Sequence, residues 1–441
     1  MRRAAFLVSL AALVLPAPAF AHATLEHTSP GFRQRLERAP TQVRLEFDQG
    51  VKAFPNSIQV RDSNGKLLSG SALSLGKQRQ VVAVPVRGLH KGFYTVRWHA
   101  MSADGHVVSG VYTFGVRFAA PPPTESYGAS GPTRAEHVVR WAYFLALALL
   151  LGGLGFRLVV VPGPLPRQAE RRFYALTGIG AVAVLEVGIA AFLLRAEDAL
   201  QLPFGQLLYG DLSPIAGGTR FGTAFIAMTL GFALVSAFLY LAWLTDRTIL
   251  LWPALLLGLG FASGLSLSGH SAADAGSSGL SVLADWLHLS AATLWIGGLV
   301  QLTAVIWPAA PELRRTAILR FSRLATVLVA VLLTAGIYLS VLRLPHLHDL
   351  WTVGYGRVLL VKLGLGGIAL AWGGLHKLVA LPAVERGDGR ILARLPRSLA
   401  GESAVGMAVL LAAAVLVDSK PPPRPVSPAS AQPPAAQTAR R

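Results

Sequence analysis

The 441-residue chain contains no cysteine, which excludes disulfide bonds and thiolate metal sites. Its formal net charge of +18 would fit a nucleic-acid-binding protein, but most of its arginines flank long apolar runs, where orientation in a membrane explains them. The composition changes along the chain, from that of a small soluble domain up to about residue 120 to one dominated by apolar segments beyond about residue 137. We therefore expect contact with a lipid bilayer and none with nucleic acid.

Residues 1–21 have the pattern of a signal peptide. A positively charged start precedes an apolar core, residues 4–15, that is too short to span a bilayer. Ala19 and Ala21 match a small-x-small cleavage site, and an uncleaved anchor is the alternative interpretation. Cleavage after Ala21 would imply export of the next domain and make His22 its first residue, with a free amine beside its imidazole.

Residues 22–118 contain short runs in which apolar and polar residues alternate, separated by turn signals such as Asp62-Ser63-Asn64-Gly65. This spacing predicts an antiparallel β-sandwich or barrel of the Greek-key type. Pro85 predicts that its own run is an edge strand, because proline cannot donate to a ladder. The alternating apolar residues are Val43, Leu45, Phe47, Ile58, Val60, Val82, Val84, Val86, Tyr94, Val96, Trp98, Tyr112, Phe114 and Val116.

The run Ser102-Ala103-Asp104-Gly105-His106 places a carboxylate and an imidazole two residues apart, so that both can point at one ion. Together with the amine and imidazole of an N-terminal His22 they form a compact N/O ligand set, which suits Cu(II). Taken alone, Asp-Gly-His is above all a turn signal. The predicted N-terminal histidine is what favours a metal site.

These residues are part of a longer pattern. The order and spacing of four runs resemble the CopC family of periplasmic copper-binding β-barrels. These runs are His22-Ala23-Thr24-Leu25, Val43-Arg44-Leu45-Glu46-Phe47, Gly92 to Trp98 and Asp104-Gly105-His106. The resemblance covers the whole domain. It implies a Cu(II) site formed by the amine and imidazole of His22 together with Asp104 and His106.

Two features of this domain qualify the resemblance. Phe47-Asp48-Gln49 stands where many relatives have a Glu after a Phe-Ser pair, which puts an extra carboxylate contact in doubt. Met101 is the domain's single methionine, so we predict no separate Cu(I) site. His27, near the N-terminus, is a further candidate ligand.

Residues 119–135 form a Pro/Gly/Ser linker, and residues 419–441 form a Pro-rich tail that we expect to be disordered. Between them, residues 136–418 hold eight apolar segments, each near the roughly 20 residues that span a bilayer. With eight helices the Arg-rich connections share one side, which the positive-inside rule assigns to the cytoplasm. This predicts a multi-pass protein of the bacterial inner membrane, with the β-domain and the tail in the periplasm. The spans are predicted at about 137–161, 173–194, 221–244, 248–268, 281–307, 321–343, 356–381 and 399–417.

The membrane region also resembles a known family. Residues in three spans are similar to the CopD family of copper-resistance membrane proteins. They are Asp285-Trp286-Leu287-His288 with Gly297-Gly298 in the fifth span, the run from Gly356 to Lys362 in the seventh and Glu402 in the eighth. That family is associated with copper passage into the cell, so the resemblance implies transport.

Ionisable residues within spans are costly and usually face the bundle interior. His270 and His288 fall in the periplasmic half by the predicted topology and, with His27, are candidates for a copper relay. Structural histidines in the bundle are an equal alternative. Glu402 either meets an ion or pairs with Lys362 or Arg397.

Three functions fit these observations. The leading one is a copper-binding and copper-transport protein that captures Cu(II) in the periplasm and passes it to the membrane domain, with copper ions and periplasmic copper chaperones as partners. We find no P-loop or phosphorylation-type pump motif, so ATP-driven pumping is not expected. The alternatives are a copper-dependent redox enzyme at the N-terminal histidine and an electron-carrying bundle with haem held by histidines. The haem candidates are His137, His270, His288 and His376.

Overall fold

A computed structural model gives the fold of the chain. Several predicted features lie outside the residues that it describes. They are the signal peptide, the predicted ligands His22, Asp104 and His106, the relay candidate His270, and most of the linker and tail. The described residues are 23, 25–48, 50–75, 80–102, 107–121, 134–200, 212, 220–268, 278–344, 346–386 and 389–419.

The described part of the N-terminal domain has nine strands in two sheets that enclose one apolar core. One sheet has the order β1-β3-β7-β6, and the other has the order β2-β9-β8-β4, with β5 also paired to β8. All pairs are antiparallel except β2 with β9. The strands are β1 (Leu25–Ser29), β2 (Arg35–Leu36), β3 (Gln42–Phe47), β4 (Val51–Lys52), β5 (Ile58–Arg61), β6 (Leu73–Leu75), β7 (Val81–Pro85), β8 (Gly92–Ser102) and β9 (Val107–Val116).

The period-two alternation places the predicted apolar residues between the sheets. In β3, Val43, Leu45 and Phe47 are buried, and the residues between them are more exposed. The Phe47 ring meets the edge of the Trp98 ring of β8 at a centroid distance of 5.5 Å, which joins the two sheets. The predicted inward faces are therefore confirmed.

The prediction that Pro85 marks an edge strand is wrong. β7 lies inside its sheet, between β3 and β6. Pro85 is the last residue of β7, and β6 pairs only with Val81, Val82 and Ala83. The missing N–H of the proline therefore removes no hydrogen bond with β6.

Eight helices in the described residues are long and apolar enough to cross a membrane, in agreement with the predicted number. An antiparallel β-domain followed by about eight such helices is the predicted fold class. α6 begins ten residues before the predicted span because its Arg-rich first turns are also helical. The helices are α1 (Arg134–Val160), α2 (Arg167–Glu197), α3 (Phe221–Thr245), α4 (Thr248–Ser268), α5 (Gly279–Ala309), α6 (Pro311–Arg343), α7 (Gly354–Arg386) and α8 (Arg394–Val417).

Hydrogen bonds tie the Arg-rich connections together at one end of the bundle, which we call the Arg-rich end. Arg172 at the start of α2 donates to the carbonyl of Ala304 near the end of α5, at 3.3 Å. Arg320 near the start of α6 donates to the carbonyl of Val160 at the end of α1, also at 3.3 Å. The ends of α1 and α5 and the starts of α2 and α6 thus lie at the same end of the bundle, as the predicted topology requires.

Glycines on α1 and α5 let these two central helices approach closely. A Cβ on Gly152 would lie 2.5 Å from the Cα of Gly297, and a Cβ on Gly297 would overlap the carbonyl of Ala148. Gly297 is therefore a packing site, because small residues let helix backbones touch.

Candidate metal centre

The β8–β9 hairpin carries the strongest metal motif of the chain. β8 ends at Ser102 and β9 begins at Val107, with Met101 paired to Val107. Asp104 and His106 belong to the connection between these strands.

A hydrogen bond links this hairpin to the start of the described chain. The backbone N–H of Ala23 donates to the hydroxyl of Ser102 at 3.4 Å, and both residues are buried. Ala23 directly follows His22 in the sequence. The bond brings together the chain segments that lead into the predicted ligands, although these segments are 79 residues apart.

His27 lies on β1, where it is exposed and paired with Glu46 of β3. β1 and β8 belong to different sheets. Within the described residues no group of three His, Asp or Glu side chains is arranged to hold a metal ion. A role for His27 as ligand or relay stays a prediction.

The hairpin also forms the contact between the two domains. Phe54 and Met101 of the β-domain are buried in one cluster with Phe192 and Ala196 of α2, at the end of the bundle opposite the Arg-rich end. Met101 has no exposed surface, and it directly precedes Ser102. The residues packed around this cluster are Val107, Leu193, Leu212, Phe221 and Phe225.

A cavity of about 110 Å³ adjoins the domain contact, between α1, α2 and α3. Phe192, which belongs to the domain contact, also lines this cavity. The cavity lining includes an ion pair, with Glu136 Oε1 3.8 Å from Arg195 Nη1, and the thioether of Met228.

His288 lies inside the bundle on α5. Its Nδ1 is 2.9 Å from the carbonyl oxygen of Leu332 on α6, and Gly336 leaves space for the ring, since a Cβ there would lie 3.0 Å from the imidazole Cε1. Lys362 and Asp285 lie close enough for their charges to act on the imidazole. The side chain therefore has a polar setting within the bundle, as expected for a structural or a relay histidine.

The structure corrects the predicted partners of Glu402. The residue is buried, with 4% of its surface exposed, and its Oε2 is 2.8 Å from Nδ1 of His376. Arg397 is exposed, and Lys362 acts on His288 near the other end of α7. Sequence reasoning considered His376 only as a haem ligand. The sequence does contain a signal for this pair, since His376 and Glu402 are ionisable residues in consecutive spans and each lies near an Arg-rich segment.

Three family models match the chain in succession. The CopC domain matches residues 25–117, the N-terminal domain of copper resistance protein D-like proteins matches residues 135–280, and copper resistance protein D matches residues 315–416. The β-domain and most of the helical bundle are covered.

Curated proteins and a solved structure are also similar to this chain. The copper transport protein CutJ of Bacillus subtilis is 29% identical over 93% of this chain and 76% of its own length. Copper resistance protein D of Pseudomonas syringae pv. tomato is 30% identical over 63% of this chain and 92% of its own length. The crystal structure of CopC from Methylosinus trichosporium OB3b is 29% identical, covers 24% of this chain and 100% of its own, and has a TM-score of 0.20.

Proposed function

Since this chain belongs to the copper resistance and transport family, as a CopC domain joined to a CopD-type multi-pass membrane domain, we propose that it captures Cu(II) on its β-domain and passes the copper into its membrane domain. Copper is the cargo, taken from the free ion or from a periplasmic chaperone. The β-domain and the tail face the periplasm of the inner membrane, and the Arg-rich end faces the cytoplasm.

The proposed ligands are the amine and imidazole of His22, the imidazole of His106 and the carboxylate of Asp104. The supporting observation is the hydrogen bond from Ala23 to Ser102, because it joins the two segments that must meet for these groups to share one ion. An amine and an imidazole on one residue form a chelate, which lowers the entropy cost of assembling the site. N/O sites of this kind bind copper most tightly among the first-row divalent ions.

Copper transfer is proposed to start at the domain contact. Met101 lies in that contact and directly precedes Ser102, so the hairpin leading to Asp104 and His106 starts beside the membrane domain. A copper ion released there would need to move only a short way to reach the bundle. We place His288 further along the path, with His270 as a second candidate that precedes it in the chain.

The experiment compares two histidines of the same domain. His106→Ala removes a proposed ligand, and His90→Ala removes an exposed imidazole that belongs neither to the proposed ligand set nor to the relay candidates. In cells that lack the native protein and express equal amounts of each variant, we expect His106→Ala to lower copper accumulation, measured by plasma mass spectrometry, and His90→Ala to match the wild type. Equal accumulation in all three would contradict the proposed capture site.

A further inference from the structure

A chain of four hydrogen-bonded side chains crosses from α7 to α8 near the Arg-rich end. Trp372 Nε1–H donates to the hydroxyl of Ser398 at 2.9 Å, and the same hydroxyl lies 2.7 Å from Nε2 of His376. Nδ1 of His376 lies 2.8 Å from Oε2 of Glu402. The side chains of His376 and Glu402 are only 12% and 5% exposed. An ionisable pair this well buried in a membrane domain is costly and points to a functional role.

The sequence makes room for this chain of side chains. A Cβ on Gly373 would lie 3.2 Å from Oε1 of Glu402, and a Cβ on Gly401 would lie 2.7 Å from the Trp372 ring. α7 also changes from an α-helix to a π-helix over His376–Ala380, beginning at the histidine itself. Short π-helical segments within α-helices are frequent at functional sites.

The hydrogen bonds can hold the imidazole in two protonation states without moving a heavy atom. The Trp372 N–H can only donate, so the Ser398 oxygen accepts from it and its own proton is free to turn. With neutral His376, the Ser398 O–H donates to Nε2 and the Nδ1–H donates to Glu402. With protonated His376, the Nε2–H donates to the Ser398 oxygen, while the bond to Glu402 stays. Adding the proton changes the net charge of the pair from −1 to 0.

Among the described residues, the other charged side chains at this end of the bundle bond elsewhere or are exposed. In the described residues of the elements packed at this end, Arg157 of α1 donates to the carbonyl of Val161 and Arg320 of α6 donates to that of Val160. α5 carries its ionisable residues, Asp285 and His288, near the opposite end. The remaining ionisable side chains on the adjoining turns are exposed, and these are Arg323, Lys377, Glu385, Arg386, Arg394 and Arg397.

We propose that the His376–Glu402 pair binds one proton at Nε2 of His376 and exchanges that proton for a copper cation moving through the membrane domain. The unprotonated pair, with net charge −1, attracts a cation that has lost water inside the bundle. Protonation from the Arg-rich side removes this attraction and lets the cation leave. The inference rests on the proposed transport function, and it couples the entry of copper to the exit of a proton.

The test uses purified full-length protein in vesicles of phosphatidylethanolamine and phosphatidylglycerol that contain a pH-sensitive dye. Glycine-buffered Cu(II) is added outside, vesicle copper is measured by mass spectrometry, and internal pH is followed by fluorescence. We expect wild-type vesicles to lose protons as they gain copper, and His376→Gln and Glu402→Gln to lose this copper-dependent proton flux. Lys377→Gln, which changes the exposed neighbour of His376, should keep the wild-type ratio of protons to copper.

Folding and proton binding are checked separately. Each variant must show the wild-type gel-filtration profile, and ¹⁵N-histidine magnetic resonance of the wild type must show a histidine signal that gains a proton at Nε2 when acid is added and that is missing in His376→Gln. Three results would each overturn the inference. Both pair variants could keep the wild-type proton-to-copper ratio, the wild type could gain copper without losing protons, or the histidine signal could be missing in the wild type. Wild-type vesicles that take up no copper would contradict the transport function, and the histidine signal would still test the proton site by itself.

Discussion

Met101 of strand β8 and Phe192 of helix α2 are buried in the same apolar cluster, which makes the hairpin that leads to the proposed copper ligands part of the contact between the two domains. Phe192 stacks on Phe225 of α3 with ring centroids 4.3 Å apart, so the membrane side of this contact is formed by aromatic rings from two helices. Large buried aromatic surfaces stabilise interfaces strongly. Packing against α2 thus fixes the position of the hairpin.

The first prediction tests this contact. Phe54→Asp places a carboxylate in the cluster, where burial of a charge without a partner is strongly unfavourable, so the β-domain should detach from α2. We expect copper accumulation in cells to fall while Cu(II) affinity of the purified protein, measured by competition titration, stays at the wild-type value. Phe32→Asp is the matched control, because Phe32 is 64% exposed. Wild-type accumulation in Phe54→Asp would show that transfer does not need the contact.

The second prediction concerns the N-terminal chelate. We expect intact-mass analysis of the mature protein to show a chain that begins at His22. A Gly added before His22 would replace the amine by an amide, and this variant should lose much of its Cu(II) affinity. Binding should also weaken as pH falls, because the amine and imidazole, with reference pKa values of about 7.7 and 6.5, must be unprotonated to bind copper. Competition titration with paramagnetic resonance gives both readouts. Full affinity and an unchanged nitrogen signature in the Gly-extended protein would exclude the chelate.

The third prediction concerns the close approach of α1 and α5. Gly297→Leu would force these helices apart, because even a Cβ at this position overlaps the carbonyl of Ala148. Overpacking typically costs about 1–3 kcal/mol, so we expect a lower thermal unfolding temperature in detergent. Gly260→Ala in α4 is the control, since a Cβ there meets nothing within 4 Å and alanine favours a helix over glycine. An unchanged unfolding temperature in Gly297→Leu would contradict the packing role.

Local sequence patterns predicted the fold well because each of them depends on one element. The alternation in Val43, Leu45 and Phe47 fixes which face of β3 is buried, and apolar length fixes the number of spans. The position of Pro85 was misread because a proline excludes hydrogen bonding only at its own residue, and the partner strand β6 ends before it.

Contacts between distant elements were not predictable in the same way. Glu402 and His376 are 26 residues apart on different helices, and a nearly uniformly apolar span gives little indication of which face a residue occupies. The burial of Met101 against α2 also has no local signal, because a methionine on a strand fits a core equally well. The ligands His22, Asp104 and His106 remain predictions from sequence, supported by the bond between Ala23 and Ser102.

The last prediction tests whether His288 relays copper or only stabilises the bundle. The two roles predict different effects when its ring is removed or shifted. His288→Ala removes the imidazole, and Gly336→Ala leaves it in place but adds a methyl group 3.0 Å from its Cε1, which would push the ring away from the Leu332 carbonyl. If His288 passes copper on, both variants should lower copper accumulation, while Cu(II) binding by the β-domain is unchanged in both. His348→Ala is the control, because His348 is exposed in the segment between α6 and α7. Accumulation is measured by mass spectrometry at equal protein level in the membrane, with competition titration of the purified variants. Wild-type accumulation in His288→Ala would assign His288 a structural role, and the path of copper would then have to avoid this part of α5.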